Sequence, residues 1–339
     1  LLSDLGPTVE RESRPTMRRY LSMTETVTAP PLRLGPINSL RAYSSFTVGR
    51  SEKQREHVSK PLLVCREDDD STEPKFSVFC VGYEQSRWRA KELVRDFFRR
   101  HLNSFALSYS EWKKVDGDSA AAALARSAKM VYATDNYKRR GEFGELFLHG
   151  ILRDFYGAEP AVSKIYFLDT PNDTAKGFDA GHVVVDDDDE LDLWLGEAKL
   201  YESMAGAITA VVESLNEHIG NDFLRKEFLA ASNKFDDGWQ HSEKLKDLLD
   251  DNTSLDVIVD RLVMPVLLTY QSKTVKKHDK VCDEYVDELI AEARKAWDTF
   301  KGQLPAGFPV TIYFIVLPLE DTKTVRQLAH ETLMTYQTL

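Results

Sequence analysis

Apolar positions along the chain recur with two periods, and together they predict an alternation of strands and helices. The run Phe76-Ser77-Val78-Phe79-Cys80-Val81 follows a proline and is rich in β-branched and aromatic residues, so it reads as a strand. Leu93, Phe97, Phe98 and Leu102 then recur at helical spacing and predict a helix over 85–102. An alanine-rich helix is expected over 118–132. Residues 141–156, GEFGELFLHGILRDFY, form a strongly apolar helix that must be mostly buried. A strand is expected at 164–168, and a hairpin follows with strands at 178–185 and 191–199. Helices are predicted at 204–219, 222–231, 282–300 and 322–338, with apolar strands at 262–270, started or broken by Pro265, and at 310–317. This order predicts an α/β (mixed) fold, a central mixed sheet flanked by helices.

The apolar pattern fails at the start. Residues 1–60 carry ten Lys/Arg against six Asp/Glu, with prolines at 7, 15, 30, 31 and 36, and read as an irregular or partner-binding extension. Arg11, Arg14, Arg18 and Arg19 there suit a phosphate backbone or an acidic partner, or simply solvent. Order is expected to begin near residue 61, with the short apolar run 61–65 and then the acidic run Glu67–Asp70 as a surface loop. We divide the chain into that extension, an α/β part at 61–135 that packs on the core, and a core at 136–339 with a C-terminal elaboration.

Composition narrows the field only a little. Of 339 residues, 42% are hydrophobic and 29% charged, as in ordinary globular proteins. A net charge of -11 disfavours a protein that coats nucleic acid with its whole surface, but leaves room for a local basic groove. Arg87, Arg89, Lys91, Arg95, Arg99 and Arg100 line one predicted helix, as a nucleic-acid face or a solvated one. Cys65, Cys80 and Cys282 are far apart and make no metal-spaced pair, so they read as reduced thiols. No apolar run is long enough to span a bilayer and no secretory signal is seen, which gives a cytoplasmic expectation.

Candidate chemistry concentrates in residues 177–201, GFDAGHVVVDDDDELDLWLGEAKLY. Residues two apart on a strand share a face, so Glu197 and Lys199 point one way and Ala198 the other, with Trp194. The hairpin brings Asp179 opposite the Glu197 end. Asp179 and Glu197 offer hard oxygen ligands for Mg²⁺ (or Mn²⁺), and the Ala198 backbone carbonyl a further one. Lys199 is placed to orient the attacking water and to offset charge on the phosphorane. Glu142 and Glu145 share a face of the apolar helix, where a carboxylate is costly unless paired or metal-bound. Glu145 is the first choice to complete the metal shell and Glu142 the alternative. His149 and His182 read as structural histidines. Lys176, Asp173 and Tyr201 flank the hairpin in either phosphate-binding or structural roles. Tyr201 has the parity of Lys199.

An acid on a helix, then an aspartate, then Glu-x-Lys resembles the PD-(D/E)xK nuclease superfamily, the restriction-endonuclease-like fold. Glu145, Asp179, Glu197 and Lys199 match its motif in order, with Phe178 in place of the proline before the aspartate. The stretches GEFGELFLHGILRDFYG, SKIYFLDTPNDTAKGFDAGHV and LWLGEAKLY look like the HamA nucleases of the Hachiman antiphage defence system. That resemblance runs from about residue 75 to the C-terminus, PVLLTY and VTIYFIVLPL included. It implies a restriction-endonuclease-like core and a magnesium-dependent deoxyribonuclease. The implied partner is a superfamily-two helicase, HamB, that hydrolyses ATP; no Walker-type loop occurs in this chain. Two other readings stay open: a non-catalytic regulatory subunit on a nuclease-like scaffold, and an RNA-directed nuclease.

Overall fold

Residues 262–271 are apolar almost without interruption, and they form the central strand of the molecule. The computed structural model describes residues 60–131, 141–162, 178–186, 189–219, 224, 236–250 and 252–339. Nine strands are described: β1 (Val64–Asp69), β2 (Lys75–Cys80), β3 (Tyr83–Glu84), β4 (Arg87–Trp88), β5 (Glu159–Val162), β6 (Ala180–Val185), β7 (Leu191–Leu200), β8 (Leu262–Gln271) and β9 (Thr311–Leu319). Seven make one mixed sheet in the order β1-β2-β9-β8-β7-β6-β5. Its middle, β2-β9-β8-β7, is parallel and its flanks antiparallel. Parallel strands are covered on both faces, so β8 is buried at every position but the last. It runs through Pro265 unbroken. The pairs to β7 skip the positions opposite Met264 and Pro265, where the proline has no N–H to give.

Helices cover both faces. On one lie α1 (Ala90–Ala106), α3 (Ala120–Val131) and α4 (Glu142–Phe155), joined by the C-terminal helix α10 (Thr322–Gln337). On the other lie α5 (Met204–His218) and α9 (Asp283–Gln303), whose Phe300 stacks on Phe314 of β9 at 4.5 Å. The remaining helices are short: α2 (Tyr109–Trp112), α6 (Ser242–Leu248), α7 (Leu255–Val259) and α8 (Lys273–Lys277). No helix among the described residues is long and apolar enough to cross a membrane.

The architecture is the expected one, with local differences. Residues 85–89 do not start the first helix. Gln85 and Ser86 take φ of 50° and 59°, the left-handed pair of a tight hairpin turn, and β3–β4 forms instead. Arg87 and Arg89 therefore leave the arginine stripe, and Arg100 is not available to a ligand. It grips Asp154 of α4 through two bonds of 2.7 and 2.6 Å, the bidentate geometry that suits a half-buried pair. The acidic run is not a loop either. Glu67–Asp69 ends edge strand β1, where Arg294 of α9 donates to Glu67 and lies 3.2 Å from Asp69. The expected strand 164–168 lies outside the described residues, as do the first 59 residues and all of helix 222–231 except Leu224.

Small residues let α4 lie close to its neighbours. A Cβ on Gly150 would stand 2.5 Å from the Phe97 ring of α1 and 2.8 Å from His101. Gly150→Ala therefore forces the α1–α4 crossing apart. The expected loss is about 1–2 kcal/mol, after the gain of about 1 kcal/mol in helix propensity. Urea unfolding measures it, and an unchanged or raised midpoint would refute close contact there.

Candidate active site

Pairing between β6 and β7 sets the geometry. Ala180 lies opposite Gly196, so Asp179, one residue before β6 begins, falls opposite Glu197. The Asp179 N–H donates to the Gly196 carbonyl at 2.9 Å, and its carboxylate accepts from the Ala198 N–H at 3.0 Å. Main-chain groups of β7 alternate between its two neighbours. The N–H groups of Leu193 and Tyr201 face β8, and those of even residues face β6. The Ala198 carbonyl thus emerges on the same edge as the Asp179 carboxylate.

Glu197 and Lys199 project from the opposite sheet face to α4, toward α5. The Lys199 ammonium donates to the Glu197 carboxylate. Glu197 is 3% exposed, and its second oxygen is buried with no hydrogen-bond partner. Two polar groups of α5 face this carboxylate, the Ser214 hydroxyl and His218 Nδ1, the latter at 3.7 Å. Burial raises the Glu197 pKa, the like charge of Asp179 adds to that, and Lys199 opposes it. Burial pulls the Lys199 pKa down, but Glu197 and Asp179 together outweigh it and the net shift is upward. Lys199 is therefore an ammonium donor in this state and not a free base.

The two helix acids belong to α4. Gly144 of α4 packs over Ala198 and Leu200, so the start of α4 covers the far face of the same end of β7. Glu145 is 6% exposed there, its carboxylate close to Gly141, and Glu142 lies one turn earlier. The structure brings Asp179, Glu197, Lys199 and the Ala198 main chain together, and Glu142 and Glu145 come from α4, which packs on the other face of the same end of β7. No group of three or more His, Cys, Asp or Glu side chains positioned to hold a metal occurs among the described residues. The available donors are nonetheless hard oxygens: two carboxylates, one with an unsatisfied buried oxygen, beside a carbonyl. That set fits magnesium, which commonly takes one or two protein carboxylates and keeps waters and phosphate oxygens for the rest.

His149 and His182 lie on the α4 side of the sheet and form a chain of their own. The Ser104 hydroxyl donates to the His101 carbonyl at 3.1 Å and accepts from Arg153 at 2.7 Å. His149 Nε2, 3.0 Å from the same oxygen, must then be a donor, and its Nδ1 accepts from His182 Nε2 at 2.9 Å. Lys176 and Asp173 lie outside the described residues. Sequence reasoning missed His218 and Arg326, whose guanidinium donates to the Leu200 carbonyl.

A family model described as HamA matches residues 56–333. The chain belongs to the HamA family. It is accordingly a nuclease-type protein of Hachiman antiphage defence, related to the PD-(D/E)xK nucleases. No curated protein sequence matches it. The HamA match spans every element described above except the last residues of α10.

The histidine chain gives a pH prediction. Burial holds His182 at about 3, helped by Arg153, and burial likewise holds His149 well below its ordinary value. Unfolded histidine titrates near 6.5, so below that pH the unfolded chain takes up protons that the native one refuses. Their contribution to stability is complete above about pH 6.5 and is lost as pH falls toward 3. His182→Gln keeps the donor to His149 and removes one titrating group. Between pH 6 and 5 its unfolding free energy should fall less steeply than the parent's, by up to about 1.4 kcal/mol per pH unit. Equal slopes would show that His182 is not held neutral.

Proposed function

We propose that this HamA-family chain is a magnesium-dependent deoxyribonuclease that hydrolyses phosphodiesters at the end of β7. The observation that carries the reading is the convergence of Asp179, Glu197 and Lys199 there, with the buried Glu197 oxygen left unsatisfied. Asp179, Glu197 and the Ala198 carbonyl would hold the ion. β6 begins only at Ala180, so beside Ala198–Leu200 no described strand closes that edge. Glu145 would reach the ion past that edge, with Glu142 as its alternative.

When bound, magnesium supplies polarisation of the phosphoryl oxygen and a lower pKa for an attacking water. The chain's own residues do the rest. Asp179 is fixed by the Ala198 N–H, so its carboxylate has one orientation. Lys199 holds its proton, positions the water by donating to it, and stabilises charge that builds on the phosphorus oxygens. Burial of Glu197 keeps bulk water from competing with these contacts. The partner under this proposal is a HamB-like helicase that hydrolyses ATP and delivers DNA.

Glu197→Gln and Lys199→Met should each lower Mg²⁺- or Mn²⁺-supported cleavage of DNA by at least about 100-fold. Their circular dichroism and melting should show an intact fold. Full-rate cleavage by both variants would remove the assignment. A parallel assay with RNA of the same sequence separates the RNA-directed alternative. Wild-type protein, assayed with HamB, that cleaves neither nucleic acid would favour the non-catalytic reading.

A further inference from the structure

Among the described residues, Arg326 of α10 makes no ion pair, and it lies beside the proposed centre with Glu202 as the acid that acts on it. Its guanidinium donates to the Leu200 carbonyl, its Nε is buried without a partner, and no carboxylate is ion-paired to it among the described residues. The nearest acid on that segment, Glu202, is paired with Lys323 at 3.4 Å. Burial lowers the Arg326 pKa while Glu202 and Tyr201 oppose the shift, and an arginine stays charged regardless. A half-buried positive charge left this way is a standing cost unless an anion arrives to meet it.

Tyr201 adds a second component. It is 40% exposed, one of few large apolar side chains so displayed. Its backbone is pinned by the N–H bond to the Thr269 carbonyl at 3.1 Å, and its ring lies close to Gly206 at the start of α5. It lies just past the end of β7, two residues beyond Lys199 and of the same parity, about 6.6 Å farther along an extended chain. That is the reach from one nucleotide to the next in an extended single strand. Aromatic faces beside cations are how proteins hold unstacked nucleotides.

We propose that Arg326 and Tyr201 form a subsite for the nucleotide adjoining the scissile phosphate. Arg326 binds its phosphate and Tyr201 stacks on its base, so the strand is delivered to Lys199 single and unstacked. This rests on the nuclease reading of the β7 end, and both residues are positioning residues, since neither touches the reacting atoms.

The test uses the full chain in EDTA, which prevents cleavage, and a labelled oligothymidylate of about twenty nucleotides. Arg326→Gln should weaken binding about tenfold and flatten the salt dependence of log K by about 0.7, one single-strand phosphate contact. Arg326→Lys should restore the slope. Tyr201→Ala should weaken binding about fivefold or more without changing the slope, and Tyr201→Phe should bind like the parent. In Mg²⁺, Arg326→Gln should raise KM and leave kcat nearly unchanged. Parental affinity and slope in Arg326→Gln, with melting unchanged, would overturn the subsite whatever the centre does. Full-rate cleavage by both Glu197→Gln and Lys199→Met would overturn the centre instead, and the binding measurements in EDTA do not depend on it.

Discussion

The pairing of Ala180 with Gly196 is the constraint on which the site rests. It carries Asp179 opposite Glu197 and leaves the Ala198 N–H just beyond the end of β6, where only the Asp179 carboxylate meets it. A slip of one residue would turn Glu197 and Lys199 to the α4 face and bury them among apolar side chains. Three features hold the register. Gly196 lies so close to Leu148 of α4 that a Cβ would stand 2.7 Å from it, so no larger residue fits that position unless α4 gives way. His182 ties β6 to His149 on α4. At the hairpin's far end Arg261 meets Asp186 at 3.1 Å and Asp192 at 3.4 Å.

Two polar clusters flank β6 and β7, and they differ in kind. On the α4 side, the chain from Arg153 through Ser104 and His149 to His182 joins helices to sheet, and the Arg100–Asp154 pair joins α1 to α4. Such networks fix one packing among several that an apolar core would tolerate. On the α5 side, Lys199 donates to Glu197 with Asp179 close by, and a buried Glu197 oxygen has no hydrogen-bond donor. Stability alone would not select that arrangement, since a buried acid next to another acid is held against its own ionisation. Local discord of this kind marks the place where chemistry overrides packing.

Much of this was legible in the sequence. Strand parity is a strict period of two, so the common face of Glu197 and Lys199 followed from their spacing alone, and the hairpin length brought Asp179 near them. The mixed sheet followed from the apolar runs, because buried parallel strands such as β8 leave a signal that even a proline did not mask. What escaped was tertiary. Glu67–Asp69 read as a loop because its counter-charge, Arg294, lies 227 positions along the chain. Residues 85–89 read as helix because arginines extend the pattern, while the turn is decided by two backbone angles that Gln and Ser do not announce. Arg326 and His218 come from helices whose approach to β7 no local pattern encodes.

Charge also orders events at the β7 end. Asp179 and Glu197 bring two negative charges and Lys199 one positive, so the pocket by itself repels a phosphodiester. A divalent cation reverses that sign, and it would meet the unsatisfied Glu197 oxygen in doing so. Arg326 lies just beyond, anchored to the Leu200 carbonyl, where its charge is not consumed by the acids. An approaching strand would therefore meet attraction first at Arg326, and at the acids only once the cation is in place. On the proposed roles, the geometry would separate capture from cleavage. Under these proposals capture would depend on an arginine from α10 and tolerate an empty metal site, whereas cleavage would need the acids, the cation and Lys199 together. That separation would let a strand be bound before it can be cut.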